Sequence, residues 1–537
     1  MKPSMVLWSI AAAALVAAAG CSDATGSMDD GAAGADVDAD ADADSDSDAD
    51  ADTDADTDAD GDTDTSPPEQ EQEVDYIVPE GSGRYVFIAD EAHDAVAVID
   101  SETLLIQVVE VGARPTQIVP LGEGNAAAVI DIDSDEVTIL RVDDSGVVTK
   151  TDLGVRPDTN AIVGSAGGEY LIAYYDARFA DWSGLPGTDQ EITVIDTTAG
   201  AEVAYDMTVG MHPSRVAFDD AATRAFVITE EGINVVDLTA LGTVGIPPIV
   251  QMFDPVVVSP DTWEIAIAPN GATAVGFYQG GADVMTAALD GTDDVRTYAL
   301  DGAPTDLDIA PDGSFGMFVL REQAEVALFD LPLPADPLAD PFRYVPLGDL
   351  VCGVATITDD GDTVLLHTTT GGDEQDRRVL TTMTRAGDDW TLSSVLLERE
   401  IASVAASPDS GTVVAMHQEV AASSTDEPFA YSLVKLPDLQ VKFQQTPVEP
   451  GQLLLTPDGA YGFTLLRNDA QDIAQTAIMD LSTFIVDALE LGSPPTALGY
   501  ASETNSVFIA QDHPSGRMTF IDLDDMSVRT VTGYALN

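Results

Sequence analysis

From about residue 75 onward, units of four short apolar strands recur at intervals of roughly 40 to 55 residues. A Pro-Asp-Gly-like turn closes the first strand of many units, and a Gly-x-x-Pro segment joins one unit to the next. Together these observations predict an all-β fold, a β-propeller of four-stranded antiparallel blades, because each four-stranded unit can bury its faces only against its neighbours.

Each strand position has its own signature. The first strand runs into Pro269-Asn270-Gly271, Pro311-Asp312-Gly313, Pro408-Asp409-Ser410 or Pro457-Asp458-Gly459. Proline presets φ there, Asx side chains bond the backbone ahead, and glycine accepts a positive φ. Second strands read Tyr85-Val86-Phe87-Ile88-Ala89 or Arg224-Ala225-Phe226-Val227-Ile228. Third strands close on aspartate, as in Val96–Asp100, Ile192–Asp196, Ile233–Asp237 and Thr519–Asp522. The fourth leads into Gly112–Pro115, Gly154–Pro157, Gly210–Pro213 or Gly492–Pro495, with a shortened Gly302-Ala303-Pro304. Ten units follow, beginning near 75, 116, 158, 214, 262, 305, 351, 401, 451 and 496. The register is weakest in the fifth, seventh and eighth, where 256–259 reads as linker or strand. No interior linker interrupts the series, which favours a single ring over two smaller rings in tandem.

Phe87-Ile88-Ala89-Asp90, Val96–Asp100 and Gly112–Pro115 reproduce the frame Y-V-x-N, V-x-V-I-D, G-x-x-P, so the repeat resembles the YVTN-type β-propeller family. Later units keep the hydrophobic frame and lose the consensus letters. The resemblance implies architecture, since the family holds binding proteins, scaffolds and some enzymes on one frame. Ten blades would exceed its usual seven or eight.

The chain is expected to divide into a signal peptide (1–20), a lipid-anchored tether (21–74) and the propeller (75–537). Lys2 precedes an apolar run from Met5 to Ala19 that is too short for a confident membrane span. Ala18-Ala19-Gly20-Cys21 resembles the lipobox of bacterial lipoproteins, with Ala18 where leucine is usual; this implies a lipid on Cys21 as the membrane anchor. Ser22 is not the acidic residue that retains some lipoproteins at the inner membrane, so an outer-membrane or cell-surface destination is favoured. The only other cysteine is Cys352, in an apolar run, and it is expected to be a small buried hydrophobe rather than a reactive thiol. With Cys21 lipidated, no intramolecular disulfide can form.

Every even-numbered residue from Asp36 to Asp64 is aspartate. Nothing there can be buried and like charges repel, so the tether is expected to be disordered, with a maximal reach of about 170 Å. Its D-x-D-x-D-G at Asp56–Gly61 is a compositional accident without the distal glutamate of a calcium loop; loose Ca²⁺ condensation is the most it suggests.

The whole chain carries 95 acids against 21 Lys plus Arg, a formal net charge of −74, and the acidic excess extends well beyond the aspartate run. Nucleic-acid phosphate and anionic headgroups are thereby excluded as partners. No zinc-type His/Cys spacing, G-x-S-x-G elbow or phosphate-binding glycine loop occurs, and no cofactor is expected. Asp131, Asp133 and Asp135 resemble a calcium-loop opening, but Glu136 stands where that loop needs glycine, so an ordinary acidic turn is expected.

In a propeller the loop between second and third strands and the crossing between blades lie on one face. All five histidines (93, 212, 367, 417, 513) fall on or beside such segments, as do the long insertions Asp176–Gln190, Thr368–Asp376 and Gln418–Pro428. The first insertion brings Arg178, Phe179 and Trp182, either as a ligand-contacting loop or folded back on its blade. The residue before the crossing proline is Arg114, Arg156 and His212 in three successive turns. Proline should hold all three extended and equivalent, an arc at the channel mouth that Arg178 and Arg215 could join. Such an arc suits an anionic ligand, unless each arginine pairs with a neighbouring blade's carboxylate. The expected function is therefore non-catalytic: a tethered propeller binding a protein, peptide or glycan through its loop-rich face. The alternatives are an exported propeller enzyme of lactonase-like or quinoprotein-like type, or a structural envelope protein.

Overall fold

The computed structural model describes residues 79–537 apart from 123, 178–189, 244, 293, 335–339, 388, 424, 425, 536 and 537. The described residues form ten four-stranded antiparallel sheets, each from four consecutive strands in simple meander order. They are the ten blades of one propeller, spanning 80–110, 115–154, 161–208, 215–250, 263–299, 306–346, 354–396, 401–446, 450–490 and 495–532. Every blade start lies within a few residues of the position read from the repeat. The segment 256–259 is a turn between blades four and five, not a strand.

Period-2 alternation builds the core. In the second strand of blade two, Ala126–Asp131, Ala127 and Val129 face blade one, packing with Phe87 and Val98. Ala126, Ala128 and Ile130 face blade three, packing with Ile162, Leu171 and Ile195. The same division repeats round the ring, so the described core is ten principal apolar clusters, one in each seam between blades. Cys352 is buried in the seam between blades six and seven, as expected of a small hydrophobe.

Among the described residues no strand is exchanged between the first and last blades. The ring closes through packing and hydrogen bonds: Val86, Ala97 and Ile99 pack against Phe508, Met518 and Phe520, and Glu503 N–H reaches the Gly83 carbonyl (3.1 Å). Arg529 donates to the carbonyls of Ser101 (2.9 Å) and Glu102 (2.7 Å), and the Ser101 and Thr504 hydroxyls lie 2.7 Å apart.

The turns after the first strands are near copies. In Pro311-Asp312-Gly313, Ala310 N–H reaches the Phe315 carbonyl (2.9 Å) and Gly313 N–H the Ala310 carbonyl (2.8 Å). Asp312 Oδ1 accepts from Ser314 N–H (2.9 Å), and Gly313 sits at φ +67°. Blade eight keeps this geometry with Ser410 at φ +54° in place of glycine. Arginines on this side staple neighbouring blades by capping carbonyls, Arg224 on Leu289 (2.8 Å) and Arg296 on Pro334 (3.3 Å).

Candidate binding face

The antiparallel meander assigns every loop to a face. One carries the repeated turns after the first strands together with the turns between third and fourth strands. The other carries the second-to-third-strand loops and the crossings between blades. The insertion at 368–376 is held by Arg377, which donates to the Gly371 and Gly372 carbonyls (3.3 and 3.0 Å) and forks onto Glu400 (2.9 and 3.2 Å). The insertion at 418–428 is held by Arg399, which caps Pro428 (3.0 Å) and Glu427 (2.7 Å) and lies over the Phe443 ring. The third insertion, with Arg178 and Trp182, falls outside the described residues, as does Cys21.

Close side-chain contacts explain two of the crossing glycines. A Cβ on Gly112 would lie 2.6 Å from Asp131 Cβ, and one on Gly210 would meet Thr229 Oγ1; Gly154 by contrast faces open space. The residues before proline depart from expectation. Arg114 and His212 adopt left-handed backbone, at φ +60° and +49°, rather than the extended conformation proline favours. The crossing must swing sharply from an outer strand to an inner one. Neighbouring hydrogen bonds hold the bend: Asp94 Oδ1 accepts from Arg114 N–H (2.9 Å), and the Arg114 carbonyl accepts from Ile132 N–H (3.2 Å).

The three side chains therefore do not fan out equivalently. Arg114, 45% exposed, bridges Glu91 of blade one (3.2 Å) and Asp133 of blade two (3.3 Å). Arg156 turns back onto blade three, donating to Glu191 (2.8 Å) and lying 3.6 Å from Asp206; its guanidinium is held still more firmly protonated, chiefly by the Glu191 hydrogen bond. His212 Nδ1 meets Glu230 at 2.6 Å. Each of the three side chains is matched by carboxylates, so this sector is a belt of paired polar groups.

Arg215 belongs to a different series, missed in the sequence. Its Nη1 donates to the Ile265 carbonyl of the next blade's inner strand (3.3 Å). At comparable inner-strand places Gln117 accepts from Ile162 N–H (2.9 Å), Glu264 from Leu307 N–H (3.0 Å), Asp306 from Ala355 N–H (2.6 Å) and Gln452 from Leu498 N–H (2.8 Å). These side chains satisfy the exposed edges of successive inner strands. The available signal was one polar residue beside an otherwise apolar first strand, two places after the crossing proline in Gln117, Arg215, Asp306 and Gln452.

A second missed feature is a polar layer inside the blades. His417 Nε2 lies 2.7 Å from Ser432 Oγ and Nδ1 lies 3.2 Å from the Glu400 carbonyl; burial pushes this imidazole down to about 4, so it is neutral at pH 7. Gln511 bonds Thr519 in blade ten (2.7 Å). Asp131 accepts from Thr138 Oγ1 (2.6 Å), and burial raises its carboxyl to about 6. His367 and His417 are thus buried, while His93, His212 and His513 are at least partly accessible. Asp131, Asp133 and Asp135 do not converge: they serve Thr138, Arg114 and the Asp158 N–H respectively. Among the described residues no His/Cys/Asp/Glu group is arranged to hold a metal ion.

The most exposed apolar side chains of the whole described surface are also on this face: Val256 at 91% and Val257 at 77%, in the crossing between blades four and five. Met211, 37% exposed, occupies the preceding crossing.

No family model matches the chain, and no curated protein does. Similar solved structures include Kuenenia stuttgartiensis hydrazine synthase, at 15% identity over 59% of this chain and 99% of that one, with a TM-score of 0.31. The dihydro-heme d1 dehydrogenase NirN is 12% identical over 76% of this chain and 73% of that one, at 0.41. A eukaryotic initiation factor is 10% identical over 76% and 96%, at 0.49. Likeness at this level assigns no residue role and no ligand. It does correct one expectation: two of these chains are enzymes by description, so the frame gives no ground for excluding catalysis, and the non-catalytic assignment is not kept.

Proposed function

We propose that this chain is an exported, lipid-anchored binding protein that engages a protein or peptide through the face of crossings and second-to-third-strand loops. The observation that carries the reading is the pair of valines, Val256 and Val257, that are the most exposed of the large apolar side chains on the described surface. They share their face with the insertions at 368–376 and 418–428, the Arg114–Arg156–His212 belt and Met211. The opposite face carries the repeated turns after the first strands together with the longer loops 238–248 and 331–342. Variable loops on a stiff repeat scaffold are the usual carriers of recognition. Exposed aliphatic side chains beside paired charges suit a protein surface, where an apolar centre and a polar rim are the norm. The lipobox-like Ala18–Cys21 and the YVTN-like repeat support the exported, surface-tethered part of the reading.

The test is affinity retrieval from envelope fractions of producing cells with the full-length chain. Wild type is compared with Arg114→Glu/Met211→Asp on the proposed face and with Thr292→Arg on the other. A saturable partner lost only with the first variant supports the reading. Equal retrieval by all three, or no saturable partner, refutes it.

A further inference from the structure

The crossing between blades four and five is built as a rigid apolar knob. Phe253 is buried at its base, 5.2 Å from the Trp263 ring and 6.3 Å, edge-on, from Tyr278. Asp254 then folds the tip: its Oδ1 accepts from Val256 N–H (2.9 Å), and its carbonyl lies 2.9 Å from both the Val257 and Val258 N–H groups. Pro255 and Pro260 restrict the chain on either side of the tip. Valine is a poor turn residue and gains nothing from water, yet this tip presents two almost bare valines on a fixed base. No packing within the described chain requires them there.

The surroundings are acidic. A Cβ on Gly232 would fall 2.5 Å from the Val250 carbonyl, so the turn of Glu230 and Glu231 abuts the knob's foot. Glu230 N–H also reaches the Met211 carbonyl (2.9 Å), which fixes this turn against the preceding crossing. The Val256–Val257 tip thus rises beside Asp254 and above a turn carrying Glu231 and Glu230, the latter paired with His212.

We propose that this knob is a docking element for a partner protein that presents an apolar socket rimmed by Lys or Arg. The inference rests on the binding role argued above and names its contact point and the partner's chemistry. Charge decides the occupant. An anionic lipid surface and a second copy of this strongly acidic chain would both be repelled by the flanking carboxylates, whereas a basic rim would pair with them as the valines lose water. The preformed tip costs little ordering on binding.

The experiment places photoreactive benzoylphenylalanine at position 256 of the full-length chain in producing cells. The same group at 114 marks another part of this face, and at 292 the opposite one. The expected product from position 256 is a second protein, labelled on an apolar segment flanked by Lys or Arg. Its yield falls as salt rises and drops roughly thirtyfold when Val257→Asp is added, while Val257→Ile preserves it. Label on lipid, on a second copy, or on a wholly polar or acidic segment overturns the proposal. A partner caught from 114 but not from 256 overturns the knob and leaves the binding role standing. Products from 292 alone, or from no position, overturn both.

Discussion

Asp131 offers the most decisive test of the electrostatics. Its side chain is fully buried at the end of a second strand, where Oδ2 accepts from Thr138 and the Gly112 amide faces the same carboxyl. Thr138 Oγ1 also lies 3.1 Å from Asp152, and Glu136 stands opposite on the adjoining strand. Burial is the main force lifting the carboxyl to about 6, helped by the charges of Glu136 and Asp152 and opposed by Thr138 and the Gly112 amide. A folded-state value above the unfolded one means that the native protein holds its proton more tightly. This group is therefore least costly below about pH 4, and its cost grows as pH rises through 6. At pH 7.5 the penalty is on the order of 2–3 kcal/mol, from about 1.4 kcal/mol for each tenfold change in proton affinity. Asp131→Asn keeps the shape and the Thr138 acceptor while removing the charge. It should stabilise by roughly 1–2 kcal/mol at pH 7.5, less than the full penalty because the new amide donors need acceptors. The gain should vanish by pH 4. Urea midpoints and slopes for both proteins at pH 4, 5, 6 and 7.5 measure this, with the slope checking that one cooperative transition is compared. A variant destabilised at pH 7.5, or a difference that ignores pH, would refute the reasoning and imply a well-compensated carboxylate.

Gly112→Ala should cost about 2 kcal/mol or more, because its Cβ falls on Asp131 and Ser134, whereas Gly154→Ala should be close to neutral; thermal melts distinguish them. Arg529→Ala removes two carbonyl contacts at the closing seam and should cost about 1–3 kcal/mol, with hydrogen exchange rising first in blades one and ten. Cys21→Ser should move the protein from the membrane fraction to the soluble one, and mass spectrometry of the wild-type N-terminus should show a lipidated cysteine.

Architecture was legible because local turn chemistry and period-2 alternation repeat in register. Gly271, Gly313 and Gly459 announce the same left-handed corner that the structure contains. Blade starts near 262, 351 and 401 held even where the consensus letters were worn, since apolar alternation alone fixes which side chains enter which seam. The side-chain chemistry of the candidate face was less legible. Proline biases the preceding residue but does not fix it, and at Arg114 the N–H donated to Asp94 and the carbonyl accepting from Ile132 outweigh that bias. Arg215 looked like a face residue because sequence position says nothing of the neighbouring blade's carbonyl at Ile265. Val256 and Val257 read as linker or strand because exposure at a crossing is a tertiary property.

Closure without an exchanged strand has a mechanical consequence. Nine seams are crossed by a peptide, whereas among the described residues the seam between the last and first blades is held by noncovalent contacts alone, such as Arg529 on the Ser101 and Glu102 carbonyls, Glu503 N–H on the Gly83 carbonyl and Phe508 against Val86. The ring is in effect a split washer. Under tension, dilution of salt or mild denaturant, it should part along that one line while the other joints stay shut, so its compliance is set by a single fastener rather than shared among ten.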